Sequence, residues 1–208
     1  MISIEVGLSY TLACVLLVVS PGPDNILAIA RGLSQGAKAA VVSALASGAG
    51  IVFHVVTACL GLTVLIQTSQ MAFWLVKLAG AAYLIYLGYK VLRSRSLISF
   101  QPAARLPLPK IFVTGFLSAA LNPKPGLFVL AFIPQFINAS SGSVTMQMLI
   151  LGLWFALLTA SGFALMGVFA GRLANFLQHH PRIVSGLNLG AGLSFVGAGI
   201  SIAILRQK

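Results

Sequence analysis

The chain has 208 residues, 59% of them hydrophobic and 7% charged, with a mean hydropathy of +1.02. Soluble domains carry about a quarter charged residues, so a water-soluble globule is excluded and a single integral membrane domain is implied. The net charge of +11 does not point to nucleic acid, because the lysines and arginines fall mostly in short gaps between apolar runs.

A helix needs ~20 apolar residues to cross the hydrocarbon. Taken in chain order on that scale, the sequence predicts six spans. The first runs from about Ile2 to Ser20, breaks at Pro21-Gly22-Pro23, and continues as a shorter helix from about Asn25 to Leu33. The second, about Ala37 to Ile66, is longer than a perpendicular crossing needs, so it should tilt. The third is about Met71 to Leu92. The fourth, about Lys110 to Phe136, is interrupted at Asn122-Pro123-Lys124-Pro125-Gly126. The fifth is about Val144 to Ala170 and the sixth about Ile183 to Leu205. Between the last two, Gly171 to Arg182 reads as a short interfacial helix closed by solvated His179 and His180.

Basic residues set the orientation. Arg31 and Lys38 follow span one; Lys90, Arg93, Arg95, Arg105 and Lys110 follow span three; Arg172 and Arg182 follow span five. The other side has only Arg206 and Lys208. The three basic loops should therefore face the cytoplasm and both termini the opposite side. The N-terminus has no basic n-region and carries Glu5, so no cleaved signal peptide is expected. Cys14 and Cys59 lie in apolar runs and read as buried thiols.

Residues 94–109, with Pro102, Pro107 and Pro109, read as an irregular cytoplasmic linker. It separates repeat 1, about 1–93, from repeat 2, about 110–208. Three spans per half means that the second half enters the membrane upside down, and the two breaks then fall in equivalent first spans. The expected fold is all-α: six transmembrane helices in two inverted three-helix repeats, with the first and fourth broken. Paired breaks of this kind point to a carrier's binding site. Small residues should mark close helix packing: Gly48 and Gly50, Gly80 and Gly88, and the ladder Gly186, Gly190, Ser194.

The breaks carry the candidate chemistry. Pro21, Gly22 and Pro23, and likewise Pro123, Pro125 and Gly126, cannot continue an ordinary helix. Asp24 sits at the first break and is, with Glu5, one of two acidic residues in the chain. An intramembrane acid is a functional residue by default; the alternative is a simple cap on the following helix. Lys124 sits at the second break, just after Asn122 and Pro123, at the positive end of a new half-helix where an anion belongs. That violation suggests a seat for a carboxylate; the alternative is a structural pair with Asp24. Asp24, Asn25, Asn122 and Lys124 are the candidate substrate-binding residues. Asp24 and mid-span His54 are the candidate proton carriers, with packing the alternative for His54. Lys77 reads as snorkelling to the surface. Asn188 and Tyr83, Tyr86 and Tyr89 read first as interhelical or interfacial groups, with pore lining as the alternative.

No GxxxxGK[ST] loop, HExxH helix or carboxylate pair occurs, so neither an enzyme nor a bound cofactor or metal is expected. The expected partners are the bilayer, a small solute and protons; nucleic acid is not among them, and a homo-oligomer stays open. The open readings are a carrier for a small solute, a channel or carrier for a metal cation, or a scaffold without transport.

The chain resembles the LysE/RhtB family of bacterial amino-acid exporters. The resemblance rests on Ser20-Pro21-Gly22-Pro23-Asp24-Asn25, on Leu78-Ala79-Gly80-Ala81-Ala82-Tyr83-Leu84-Ile85-Tyr86-Leu87-Gly88, and on Gly115-Phe116-Leu117 before Leu121-Asn122-Pro123-Lys124. It continues with Phe132-Ile133-Pro134-Gln135-Phe136 and covers nearly the whole chain. It implies a six-span inner-membrane carrier that moves amino acids or related solutes out of the cell, with proton antiport as the drive.

Overall fold

The computed structural model describes residues 4–20, 22–68, 70–93 and 103–204, and among these there is helix but no strand. Pro21, the first part of the linker and the Lys77 side chain lie outside the described residues, so the expectations placed on them are not addressed. The elements are α1 (Ile4–Val19), α2 (Pro23–Gln35), α3 (Ala37–Thr68), α4 (Gln70–Arg93) and α5 (Leu108–Ala120). They continue with α6 (Pro123–Leu127), α7 (Val144–Val168), α8 (Ala170–His179) and α9 (Pro181–Ile204). Beyond α6 the chain runs on as a π turn, Phe128–Phe132, and a 3-10 turn, Ile133–Phe136.

Among the described residues, two uninterrupted segments are long and apolar enough to cross a bilayer, Ala37–Gly61 within α3 and Val144–Val168. At 1.5 Å per residue, 25 residues reach ~38 Å, enough for the hydrocarbon and part of the headgroup layer. Two further spans arise if each bent pair counts as one: α1 with α2, bent by 58°, and α5 with the helix from Pro123 to Phe136, bent by 48°. The protein is thus an all-helical, multi-pass membrane protein. Its outer surface fits that solvent: Ile4, Leu8, Leu12, Val15 and Val19 form an exposed apolar stripe along α1, and Ile150, Leu153, Trp154 and Leu157 do the same on α7.

Helix pairing follows the small residues. α3 packs along α7, and α4 along α9; α5 crosses α3, while α1 and α2 cross α7. A Cβ on Gly48 would meet Ala160, one on Gly50 would meet Ala119, and one on Gly152 would press into Val55. Gly88 and Gly192 face each other, so that a Cβ on either would lie 2.7 Å or 3.0 Å from the other's carbonyl oxygen. Only the absence of side chains lets these backbones approach so closely. The expected α9 ladder is therefore corrected. Gly186 and Gly190 face open space, and Gly192 and Gly199 make the contact with α4.

Three further expectations shift. Arg31 is not in a loop: α2 extends to Gln35, the connection to α3 is the single residue Gly36, and Arg31 is buried. Gly36 has φ +81°, a conformation that suits glycine. Pro125 and Gly126 are not in the interruption but inside α6, in its first turns, where a missing N–H costs no helical bond. Likewise α2 begins at Pro23 rather than at Asn25. The interfacial helix appears as α8, with His179 and His180 exposed and their Nδ1 atoms donating to the carbonyls of Asn175 and Phe176.

Candidate functional site

Proline geometry builds the site. In an α-helix the carbonyl of residue i accepts from the N–H of residue i+4. Pro21 has no N–H, so the carbonyl of Leu17 loses its helical donor; Pro123 does the same to Ala119. Buried carbonyls need replacements. At the second break, Ala119 O accepts from the Asn122 N–H at 3.1 Å and from His54 Nε2 at 3.0 Å. At the first break, Leu17 O accepts from Lys124 Nζ at 3.3 Å, and Ser20 O accepts from Lys124 Nζ at 3.0 Å and from Asn25 Nδ2 at 2.9 Å.

Both half-helices start the same way. α2 and α6 each have a proline as first residue, with Asp24 and Lys124 as the second. The two charges therefore occupy equivalent positions in the two halves. Asp24 agrees with its own helix dipole, lying at the positive end of α2. Lys124 contradicts its own helix but reaches across to the carboxyl end of α1, where a cation belongs. The broken local rule at Lys124 is satisfied by the neighbouring helix.

The acid also reaches across. Ser118 Oγ donates to Asp24 Oδ1 at 2.6 Å, and Asn122 Nδ2 donates to Asp24 Oδ2 at 2.7 Å. Asp24 is 6% exposed. It is not the cap of α2: that position is Gly22, whose N–H donates to Asn25 Oδ1 at 2.9 Å. Nor do Asp24 and Lys124 form the direct ion pair entertained from the sequence. Each spends its hydrogen bonds on the opposite half, and both line one cavity of about 30 Å³.

The sequence candidates divide accordingly. Asp24, Asn25, Asn122 and Lys124 are brought together around the cavity, as are Gly22 and Pro125. Asn25 and Asn122 are occupied with holding the breaks: Asn25 ties the end of α1 to the start of α2, and Asn122 Oδ1 accepts from the Lys124 N–H at 3.0 Å. His54 lies against Gly126, whose added Cβ would touch its ring, and is not among the residues lining the cavity. Tyr86 and Tyr89 are exposed, and Asn188 is buried elsewhere.

The site includes residues that the sequence alone does not mark. Ser118 of α5 bonds Asp24 without lining the cavity; Ser20 and Thr159 of α7 line it. Both are nearly inaccessible, at 2% and 3%, and neither hydroxyl makes a hydrogen bond. Both line the cavity together with the apolar wall of Leu17, Ile51, Phe155 and Phe163. The small chamber thus brings together one acid, one amine, two hydroxyls without hydrogen bonds and an apolar wall. Among the described residues, no three His, Cys, Asp or Glu side chains gather as a metal site would require.

Comparison with known proteins places this architecture. An uncharacterized membrane protein of Bacillus subtilis (strain 168) is 39% identical over 92 residues, 44% of each chain. A homoserine/homoserine lactone efflux protein of Salmonella typhimurium is 35% identical over 97 residues, 47% of each chain. An uncharacterized membrane protein of Pseudomonas aeruginosa is 28% identical over 202 residues, 94% of this chain and 93% of that one. The matches to the first two span under half the length of those relatives. No solved structure matches the chain. The family model for the LysE type translocator matches residues 15–206, a stretch that includes both breaks, so the chain belongs to the LysE-type translocator family.

Proposed function

We propose that this translocator is a secondary carrier that exports an amino acid or amino-acid derivative, holding it between the two helix breaks. The observation that carries this reading is the shared cavity: the chain's intramembrane acid and the lysine of the opposite half both line it. The substrate carboxylate pairs with Lys124, and Asp24 supplies the balancing negative charge. Asn25 and Asn122 hold both in place. The relative named for homoserine and homoserine lactone efflux makes L-homoserine the first solute to try.

The same reading has six spans, with α4 and α9 as the third and sixth, in two inverted repeats. Each of those helices has 24 residues, enough for ~36 Å. The packing supports it. An exchange of halves maps α3 onto α7, α4 onto α9 and the α1–α2 span onto the α5–α6 span; it keeps the contacts α3 with α7, α4 with α9, and α5 with α3 against α1–α2 with α7, while among the described residues α2 with α3 has no counterpart of like extent. The reading places the protein in the inner membrane with both termini periplasmic, on the distribution of basic residues. The two halves rock about the site, and proton antiport drives export, with Asp24 as the carrier and His54 the second candidate.

The test is efflux from proteoliposomes loaded with labelled amino acids under an imposed pH gradient. Saturable, gradient-dependent efflux is expected from the wild type, and its loss in Asp24→Asn and in Lys124→Ala. Full activity in both variants removes the site; flux that never saturates makes the protein a channel.

A further inference from the structure

We propose that the carboxyl end of α1 is an ammonium seat, which Lys124 fills when the site is empty and the substrate's own amino group takes over when it binds. This deepens the carrier reading and rests on it. The seat is made of main chain: the carbonyl oxygens of Leu17 and Ser20 converge on Lys124 Nζ at 3.3 and 3.0 Å. The Leu17 carbonyl is available because Pro21 offers no N–H. The end of a helix carries negative potential, which favours any cation placed there. The Phe195 ring centroid lies 5.6 Å from the same nitrogen, a further attraction for a cation. No side-chain carboxylate takes part. The recognition is for a group with several N–H donors, which describes an ammonium.

A further observation points to a polar occupant of the chamber. Ser20 and Thr159 present buried hydroxyls without partners to this chamber, and buried polar groups left unpaired are uncommon. The free volume is about 30 Å³ with Lys124 in place, and moving the lysine off the carbonyls would enlarge it. A zwitterion matches the charges of this chamber. Its ammonium replaces that of Lys124 on the two carbonyls, and its carboxylate meets the displaced Lys124. Each charge in the chamber then has a partner before and after the exchange. An amine without a carboxylate would take the seat but leave Lys124 uncompensated. A carboxylate without an amine would draw Lys124 out and leave the carbonyls bare.

The exchange also couples binding to movement. Lys124 belongs to α6 and the seat to α1, so the empty site ties the two broken spans together. Occupancy replaces that covalently tethered tie by a mobile solute.

The seat is tested without transport, by chemical rescue. Lys124→Ala removes the ammonium and opens space for its stem. Purified in detergent, this variant is expected to melt several degrees below the wild type, and propylammonium chloride is expected to restore most of that loss while leaving the wild type unchanged. Propyltrimethylammonium, which has no N–H, should not rescue. If the variant does not survive extraction, extraction in propylammonium should recover it. A second variant, Lys124→Met, keeps the stem and should respond to ammonium instead. No rescue in either variant, or equal rescue by the quaternary ion, overturns the seat. Rescue without amino-acid efflux from wild-type liposomes would leave the seat standing and remove the carrier reading, while efflux without rescue would do the reverse.

Discussion

The bond between Asp24 and Asn122 joins the two halves and offers a sharp perturbation. In Asp24→Asn, the new Oδ1 keeps the Ser118 hydroxyl, but the new amide nitrogen faces Asn122 Nδ2, donor against donor. Asn122 cannot turn its amide over without loss, because its Oδ1 accepts from the Lys124 N–H and caps α6. A hydrogen bond to a charged group is worth about 1.5–3 kcal/mol. At ~2–4 °C per kcal/mol for a chain of this size, the single variant should melt about 3–12 °C lower in detergent. The double variant Asp24→Asn with Asn122→Asp reverses the bond: the amide at 24 donates, and the carboxylate at 122 both accepts and caps. Aspartate is as good an N-cap as asparagine. The double variant keeps the net charge and should recover more than half of the lost stability, a coupling that a double-mutant cycle reads directly. A double variant that melts no higher than Asp24→Asn refutes the contact.

Other expectations follow from the helix packing and from the linker that crosses α2. Gly152→Leu drives a side chain into Val55 and should cost about 1–3 kcal/mol in detergent melting, while Gly186→Leu, which faces open space, should stay within about 0.5 kcal/mol. Gln35 holds the linker by two bonds to Leu106: its Nε2 donates to the Leu106 carbonyl at 2.8 Å, and its Oε1 accepts from the Leu106 N–H at 2.8 Å. Gln35→Ala removes both, about 1–3 kcal/mol in all, so tryptic cleavage after exposed Arg105 should speed up roughly tenfold when followed by mass spectrometry. His54→Gln should retain efflux with an unchanged pH profile, since His54 serves the Ala119 carbonyl; a flattened profile would instead make it the proton relay.

Much of the fold was legible, because proline and apolar length act locally. The two Pro-x-Pro steps announced the breaks, and the helix bounds from α3 to α9 fall within a few residues of the apolar runs. The meeting of Asp24 with Ser118 and Asn122 was not legible, since it depends on how α2 sits against α5. Spacing on α9 likewise gave a face of small residues but could not say which face meets α4. Arg31 was read as a loop residue from its charge. It is buried because the linker covers it: its Nη1 donates to the Ala104 carbonyl, and the Ala103 N–H donates to Ala30 O at 3.3 Å. Charge alone does not reveal a strap that arrives from seventy residues away in sequence.

The wide turn after α6 has a consequence of its own. A π turn holds one residue more than an α turn, and it brings side chains four apart almost into line. Phe128 stacks on Phe132 at 4.6 Å, Phe132 lies 4.9 Å from Phe136, and Phe136 meets Tyr10 at 5.1 Å. The Tyr10 hydroxyl in turn donates to Leu151 O on α7. This column of rings links the second break to the middle of α1, like a pushrod alongside the chamber. Its surplus residue is stored slack: tightening that turn to α geometry would rotate everything beyond it by ~100° and uncouple the rings from Tyr10.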